Sequence, residues 1–273
     1  MARVHSLRAI DRWEVRSGAV ALAGPGGLID RHGSFYAVGR WASVTKLFTA
    51  YTVLIACEQE LTALDERAGP PGSTVRHLLA HASGLPFEGQ TPIAPPGRRR
   101  IYSNAGFDLL GAHIASRAGV AFAEYMRIHL LQPLGIEAEL RARPSEGLFG
   151  SVIGVARLGT EFLAPILVNQ SLVETARAPA FPNLAGTLPG IGRFDPNPWG
   201  LGFEIKDRKV PHWTGHTNSE ETVGHFGGSG TFLWIDPQAG LSLACMTGRE
   251  FGQWALELWP ALSDAVLAEA AVG

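Results

Sequence analysis

Lysine is the scarce residue in this chain. Of 23 basic side chains only Lys46, Lys206 and Lys209 are lysines. Arginine supplies the remaining positive charge, so a position that needs charge alone has arginine at hand. A retained lysine points to an amine that can give up its proton, which a guanidinium cannot do. Cysteine is scarcer still. Cys57 and Cys245 lie far apart in apolar surroundings, which excludes a disulfide framework and a metal-ligand spacing and reads as two buried free thiols. No apolar run reaches the length of a membrane span. Residues 1–14 carry basic side chains without an apolar core segment, so no secretory signal is visible and a cytoplasmic location is expected. A net charge of -2 gives no reason to expect a nucleic-acid partner. Arg98-Arg99-Arg100, the densest basic cluster, is too short for a binding arm and reads as a solvated loop. There are no internal repeats, no metal site is expected, and no cofactor is implied.

What remains is an enzyme-sized chain. Its 273 residues, 46% hydrophobic and 18% charged, can bury a substantial core as one large domain or two lobes. Short apolar runs at 19–23 and 28–30 flank Gly24-Pro25-Gly26-Gly27 and read as two strands around a turn, with a third strand at 35–38. A helix opens at Ser43 and runs to about Glu60. Further helices are expected over 74–81, 105–118, 122–130, 160–169, 172–176 and 253–271, and a long Pro- and Gly-rich loop over 181–199. Strands are expected over 202–206, 225–227, 231–236 and 241–247. Strands at both ends and helices between them predict an α+β fold: an antiparallel sheet built from the N- and C-terminal segments, with flanking helices and a helical insertion lobe. Within a single catalytic domain spanning 1–273, the α/β lobe would cover about 1–60 and 200–273 and the helical lobe about 61–199. The cleft between lobes is the natural site.

The most informative motif is Ser43-Val44-Thr45-Lys46. Three residues are close to one helical turn, so Ser43 and Lys46 share a face. An amine beside a hydroxyl at the start of a buried helix can act as the base that makes the serine a nucleophile, and burial lowers a lysine pKa. On its own the motif is weak, because a chain of this size holds roughly one Ser-x-x-Lys by chance. Ser43 as a small packing residue and Lys46 as a solvated cation is the plain alternative.

Three further segments strengthen it. They are His77-Leu78-Leu79-Ala80-His81-Ala82-Ser83-Gly84-Leu85-Pro86; Tyr102-Ser103-Asn104, followed at a distance by Leu131-Gln132-Pro133-Leu134-Gly135; and Gly224-His225-Phe226-Gly227-Gly228-Ser229-Gly230, leading into a strand. In this order the motifs resemble the serine β-lactamase-like superfamily, in its branch of class C β-lactamases, DD-peptidases and family VIII carboxylesterases. The resemblance covers nearly the whole chain from about Ala19.

It implies that Ser43 is the acylated nucleophile and Lys46 a proton acceptor and electrostatic partner. Tyr102 would be a phenol of lowered pKa relaying protons to the leaving group, held as phenolate between two cations. Asn104 would bind substrate near the scissile bond, together with His225, Gly227 and Gly228. The backbone N–H groups of Ser43 and Gly228 would form the oxyanion hole. Taken singly, Tyr102 also fits a core aromatic and Asn104 a helix cap. His81 reads as structural. His216, in Gly215-His216-Thr217-Asn218, lacks the glycines that should follow. Trp199 and Trp213 fit pocket lining or core packing equally.

Where the family carries Lys-Thr-Gly this chain has His225-Phe226-Gly227. A permanent cation that would hold the carboxylate of a β-lactam becomes an imidazole, and a hydroxyl becomes an apolar ring. The resulting expectation is a serine hydrolase with an esterase-like preference for a small-molecule ester or amide. β-Lactamase or D-amino-acid/DD-peptidase activity is the enzymatic alternative, and a non-catalytic acyl-ligand-binding protein the alternative of another class. The oligomeric state is left open.

Overall fold

A computed structural model describes residues 4–15 and 17–272. Its main sheet alternates strictly between two cores. Strands β1 (Ala19–Gly24), β2 (Gly27–Gly33), β8 (Glu204–Ile205), β9 (Val223–Gly227), β10 (Thr231–Asp236) and β11 (Leu241–Met246) form one antiparallel sheet in the order β2-β1-β11-β10-β9-β8. Successive side chains of a strand point to opposite faces. Ala19, Ala21, Ala23, Leu233, Ile235 and Ala244 therefore enter one core, and Val20, Leu22, Phe232, Trp234, Leu243 and Cys245 the other. On β1 and β11 the first face is built of alanines because helix α5 (Val152–Leu163) lies directly on them. A Cβ on Gly159 would stand 2.3 Å from the Ser242 hydroxyl. The other face is covered by α7 (Gln253–Ala270) and a 3₁₀ turn, His5–Arg12, whose first N–H groups are capped by Glu269.

The segments between the strand blocks fold as expected in kind, with shifted bounds. They comprise α1 (Thr45–Glu58), α2 (Val75–Leu79), α3 (Asn104–Ala118), α4 (Phe122–Met126) with a π turn after it, and α6 (Gln170–Arg177). Among the described residues no helix is long and apolar enough to cross a membrane. The helix expected over 160–169 ends instead at Leu163. Pro165 disfavours helical geometry in the residue before it, and the helix starts eight residues earlier, at Val152. The strand expected over 35–38 is a turn with Tyr36 exposed. Pairing resumes only at β3 (Gly39–Arg40), which joins β5 (Leu148–Gly150) and β4 (Ala138–Leu140) in a separate small sheet. The 181–199 stretch is not all loop: it carries a hairpin of β6 (Gly186–Leu188) and β7 (Gly192–Phe194). Within the segment expected to be the helical lobe, α5 packs on β1 and β11, so it goes with the sheet. Of the expected boundaries, residues 1–3 and 273 lie outside the described residues. Both cysteines are free, but only Cys245 is fully buried, Cys57 being half-buried.

Helix α1 is buried along most of its length, from Thr45 to Ala56, as befits a central helix that is apolar on every side. A second buried charge sits on edge strand β8. The Glu204 carboxylate accepts from Lys209 Nζ, from His212 Nε2 at 2.9 Å and from Trp213 Nε1 at 3.1 Å. Lys209 Nζ also donates to the carbonyls of Ile205 (2.7 Å) and Pro198 (3.1 Å). Burial pushes the Glu204 carboxyl up, but the His212 ring and the Lys209 ammonium outweigh it and hold it below the ordinary carboxylate range. Lysine scarcity thus has two sources here, since Lys209 is as hidden as Lys46 yet serves an ion pair.

Removing one partner of such a pair strands the other charge in the interior. Lys209→Met is expected to lower the stability to urea by about 3–5 kcal/mol. Because the folded Glu204 pKa is depressed, its contribution is present above the ordinary value of 4.5 and is lost as pH falls below it. Equilibrium unfolding between pH 3 and 7 checks both points. A variant with wild-type stability at pH 7 would show that the cluster is not a stabilising contact.

Candidate active site

Three chain segments meet at Ser43. The first is the 3₁₀ turn Ala42–Val44 that leads into α1. Ala42 takes φ 47°, in the left-handed region, just before the serine. A non-glycine residue there costs of order 1–2 kcal/mol and persists only when its surroundings fix it. The second segment supplies part of that fixing. At the end of β9 a Cβ on Gly227 would meet Trp41 O at 2.5 Å and Ser43 N at 3.1 Å. Only glycine lets the strand come this close, and Gly228 follows in open space. The third segment is the start of α3. Ser103, not Asn104, is its N-cap: its Oγ accepts from Gly106 N at 3.0 Å and donates to Pro86 O at 2.6 Å. Asn104 is thereby the first helical residue, and its amide is free to point inward.

The inward group it meets is Lys46. The amine donates to Asn104 Oδ1 at 2.6 Å, to Ser145 O at 2.9 Å and to Ser43 Oγ at 3.4 Å. Lys46 is 0% exposed, and burial brings its pKa down from 10.5 to about 7, with Glu146 the strongest opposing charge. Tyr102 stands beside it, with its ring centroid 4.8 Å from Nζ. The phenol is not the lowered one expected. Burial pushes it up, and the adjacent Ser43 hydroxyl opposes this only in part. The reason is that neither supposed cation is a fixed charge. Lys46 is balanced near neutrality, and burial, with Lys46 next, holds the His225 imidazole down to about 3.

His225 lies beneath Tyr102 and Trp199, at ring distances of 5.6 and 5.5 Å. Its Nδ1 is 2.5 Å from Phe226 O, while Nε2 has no protein partner. Phe226 points the other way along the strand, into the aromatic cluster with Phe251 and Trp259, so its ring does not face the site. His81, at φ 54°, accepts from Ser103 N at 3.0 Å and packs on Tyr102 and Phe107. Trp199 and Trp213 are both core residues, and His216 is exposed. A cleft of about 640 Å³ opens over Ser43, Asn104 and Gly228. Tyr102 instead faces a neighbouring cavity, while Lys46 and His225 line neither.

The sequence motifs did not reveal the polar frame around Lys46. Asn104 Nδ2 donates to Glu88 at 2.9 Å, and Glu88 takes a bidentate fork from Arg143 at 2.7 and 2.8 Å. Arg143 also reaches Glu146, which pairs with Arg40. Arg143 and Asn104 hold the Glu88 carboxyl down to about 2. Thr49 donates to Pro144 O at 2.6 Å and Thr45 accepts from Leu148 N at 3.1 Å, tying the 144–148 strand of chain to α1. No spacing rule joins residues 88, 104 and 143. Of the three only Asn104 lies within a motif, and Glu88 and Arg143 follow two others at a distance.

The Beta-lactamase family model matches residues 37–267. A structure described as a beta-lactamase from Mycobacterium bovis is 45% identical, with a TM-score of 0.95 over 97% of this chain and 99% of that one. A D-aminopeptidase of Gluconobacter oxydans is 27% identical over 68% of this chain and 48% of its own length. Penicillin-binding protein 4* of Bacillus subtilis is 27% identical over 35% of this chain and 28% of its own. The chain therefore spans less than half the length of these two curated relatives.

Selective ¹⁵N-lysine NMR, with the Lys46 signal assigned by its loss in Lys46→Arg, should find that amine titrating near 7. Glu146→Gln removes the charge that most favours the ammonium and should move this midpoint lower. A Lys46 midpoint near 10 would remove the desolvation argument.

Proposed function

Because the chain belongs to the beta-lactamase family, we propose that it is a serine hydrolase that opens an ester or amide through an acyl-enzyme on Ser43, with esters preferred over β-lactams. The observation that carries this reading is the buried Lys46 amine, near neutrality and directed at Ser43 Oγ. An ammonium has three protons to donate, and Lys46 meets three acceptors. Asn104 Oδ1 and Ser145 O take the two short bonds. Loss of one proton leaves the lone pair on the remaining, longest contact, the one to Ser43. That is the arrangement of a base beside its nucleophile.

Ser43 Oγ bonds to the acyl carbon as its proton passes to Lys46. The bond to the leaving oxygen or nitrogen breaks, and that atom takes a proton delivered through Tyr102. A phenol that stays protonated is suited to donating in this step. Water then releases the acyl group from Ser43 by the reverse proton traffic. The N–H groups of Ser43 and Gly228 hold the oxyanion, and Asn104, oriented by Glu88, holds both Lys46 and the substrate. The reaction closes without a cofactor.

The ester preference rests on His225. A neutral imidazole supplies no charge for the carboxylate of a β-lactam. The alternative, turnover of β-lactams or D-amino-acid peptides, rests on the likeness to the Mycobacterium bovis beta-lactamase and the Gluconobacter D-aminopeptidase.

The test is kcat/KM for p-nitrophenyl butyrate and nitrocefin at pH 7.5. The ester should be the better substrate, and Ser43→Ala should abolish its turnover by several orders of magnitude while the fold is kept. His225→Lys should shift the ratio toward nitrocefin. A charged hydrogen bond is worth roughly 1.5–3 kcal/mol, about one to two decades in specificity. Efficient nitrocefin turnover that His225→Lys leaves unchanged would contradict the ester preference, and full activity in Ser43→Ala would contradict the nucleophile.

A further inference from the structure

The last row of the main sheet leads directly away from Ser43. Backbone register sets Gly227 of β9 opposite Thr231 of β10, Thr231 opposite Met246 of β11, and Met246 opposite Ala19 of β1. Residues paired in this way share a face of the sheet, and Gly227 is the one whose missing Cβ lets the strand reach Ser43 N. Strands lie about 4.8 Å apart, so Met246 stands about 10 Å and Ala19 about 14 Å along the row from Gly227. Thr231, Met246 and Ala19 all line the cleft of about 640 Å³ that holds Ser43, and they form its floor.

The roof is the segment just before the nucleophile. Ala37, Val38 and Gly39 line the same cleft, with Ala37 and Val38 exposed. Two contacts fix this roof: β3 pairs with β5, and Ser229 Oγ donates to Arg40 O at 2.8 Å. Met246 stands between floor and roof. A Cβ on Gly39 would lie 2.8 Å from Met246 Cε, so the thioether methyl already closes on the glycine backbone and narrows the lane there. The cleft continues past this point to Ala19. Ser17 and Ser34, both exposed, give it a polar outer end, and Ser34 N donates to Gly18 O at 2.9 Å. The charged side chains of the lining are Glu250 and Arg40, with Arg40 paired to Glu146 at 2.7 Å. Nothing in the lane attracts a negatively charged tail.

We infer that this lane holds the acyl chain of the substrate and that Met246 sets the chain length. The inference rests on the acyl-enzyme reading above, in which the carbonyl carbon is bonded to Ser43 Oγ at the head of the row. The leaving group departs on the Tyr102 side, so the acyl part is the part that follows the row. A C–C bond of about 1.5 Å at about 111° advances an extended chain by about 1.25 Å per carbon. About eight carbons therefore reach Met246, and about eleven reach Ala19. Apolar contact along the lane stabilises each methylene up to the narrowing. Methionine is pliable, so longer chains still enter, but they displace its methyl and end among hydroxyls. The substrate class is an ester of a neutral, medium-chain acid.

The experiment measures kcat/KM for p-nitrophenyl butyrate, hexanoate, octanoate, decanoate and dodecanoate, each below its micellar concentration. Each methylene up to octanoate should raise the value about two- to fourfold, so octanoate should exceed butyrate by about tenfold or more. Dodecanoate should fall below octanoate. Met246→Ala should raise the dodecanoate-to-octanoate ratio by about fivefold or more, and Met246→Trp should lower the octanoate-to-butyrate ratio by about as much. Val38→Asp, at an exposed position that folding tolerates, puts a charge beside the lane and should lower the octanoate-to-butyrate ratio about threefold. It decides the matter if the Met246 variants do not fold. Val210→Ala, an exposed apolar residue outside the cleft, should leave both ratios alone. A flat chain-length series in the wild type overturns the lane. Ratios that neither the folded Met246 variants nor Val38→Asp move overturn it as well. In either case ester hydrolysis that still requires Ser43 keeps the enzyme reading intact, whereas hydrolysis indifferent to Ser43→Ala overturns both.

Discussion

Placing the Lys46 amine where water cannot reach it is the constraint on which the site depends. The displacement from 10.5 to about 7 corresponds to about 5 kcal/mol between the two protonation states. The fold is the less stable for it. An unfolded lysine is protonated below its ordinary pKa, so the penalty appears as pH drops from 10.5 toward 7 and is complete below that. Such a burden is tolerable in a helix as thoroughly buried as α1, where the large apolar interface on every side offsets one misplaced amine. It also explains why Asn104 Oδ1 and Ser145 O must be held so firmly. A buried amine with a missing acceptor would be more costly still.

The polar frame follows from that requirement. Asn104 can face Lys46 because Ser103 takes over the helix cap and Glu88 fixes the other end of the amide. Ser145 can offer its carbonyl because Thr45 and Thr49 bind the chain on either side of it to α1. Arg143 joins the two arms by holding Glu88 and Glu146 together. On the opposite side the strand end at Gly227 presses against Ser43 N, so the left-handed Ala42 is held by backbone contact. Ser43, Lys46 and Gly228 are positioned by three elements that each have another structural duty.

The parts legible in the sequence were those governed by local periodicity. The β10 and β11 strands, the α3 and α7 helices and the Ser43–Lys46 face all follow from spacings of two or of three to four residues. Helix and strand bounds were wrong where a long-range contact decided them. α5 tolerates Gly159 because the sheet lies against it and Gly154 because Ile136 and Trp41 do, and β3 is a strand only because β5 is beside it. The Tyr102 phenolate failed for a similar reason. A residue list shows Lys46 and His225 as nearby bases, but only burial reveals that neither is a steady cation. The apolar ring that Phe226 puts in place of a hydroxyl is turned by strand alternation toward Trp259, which the motif alone does not show. The Glu88–Arg143 fork had no periodic signal at all, because it joins residues 55 apart.

Rapid-quench intact-protein mass spectrometry during p-nitrophenyl butyrate turnover tests the Ser43–Lys46 pairing most directly. A butyryl adduct should build up in the pre-steady state and map to the peptide carrying Ser43. Its formation rate should rise with pH through a midpoint near 7, and Lys46→Arg should suppress it nearly as completely as Lys46→Ala, because arginine keeps the charge but not the lone pair. An adduct on another residue, or a Lys46→Arg protein that acylates at the wild-type rate, would contradict it.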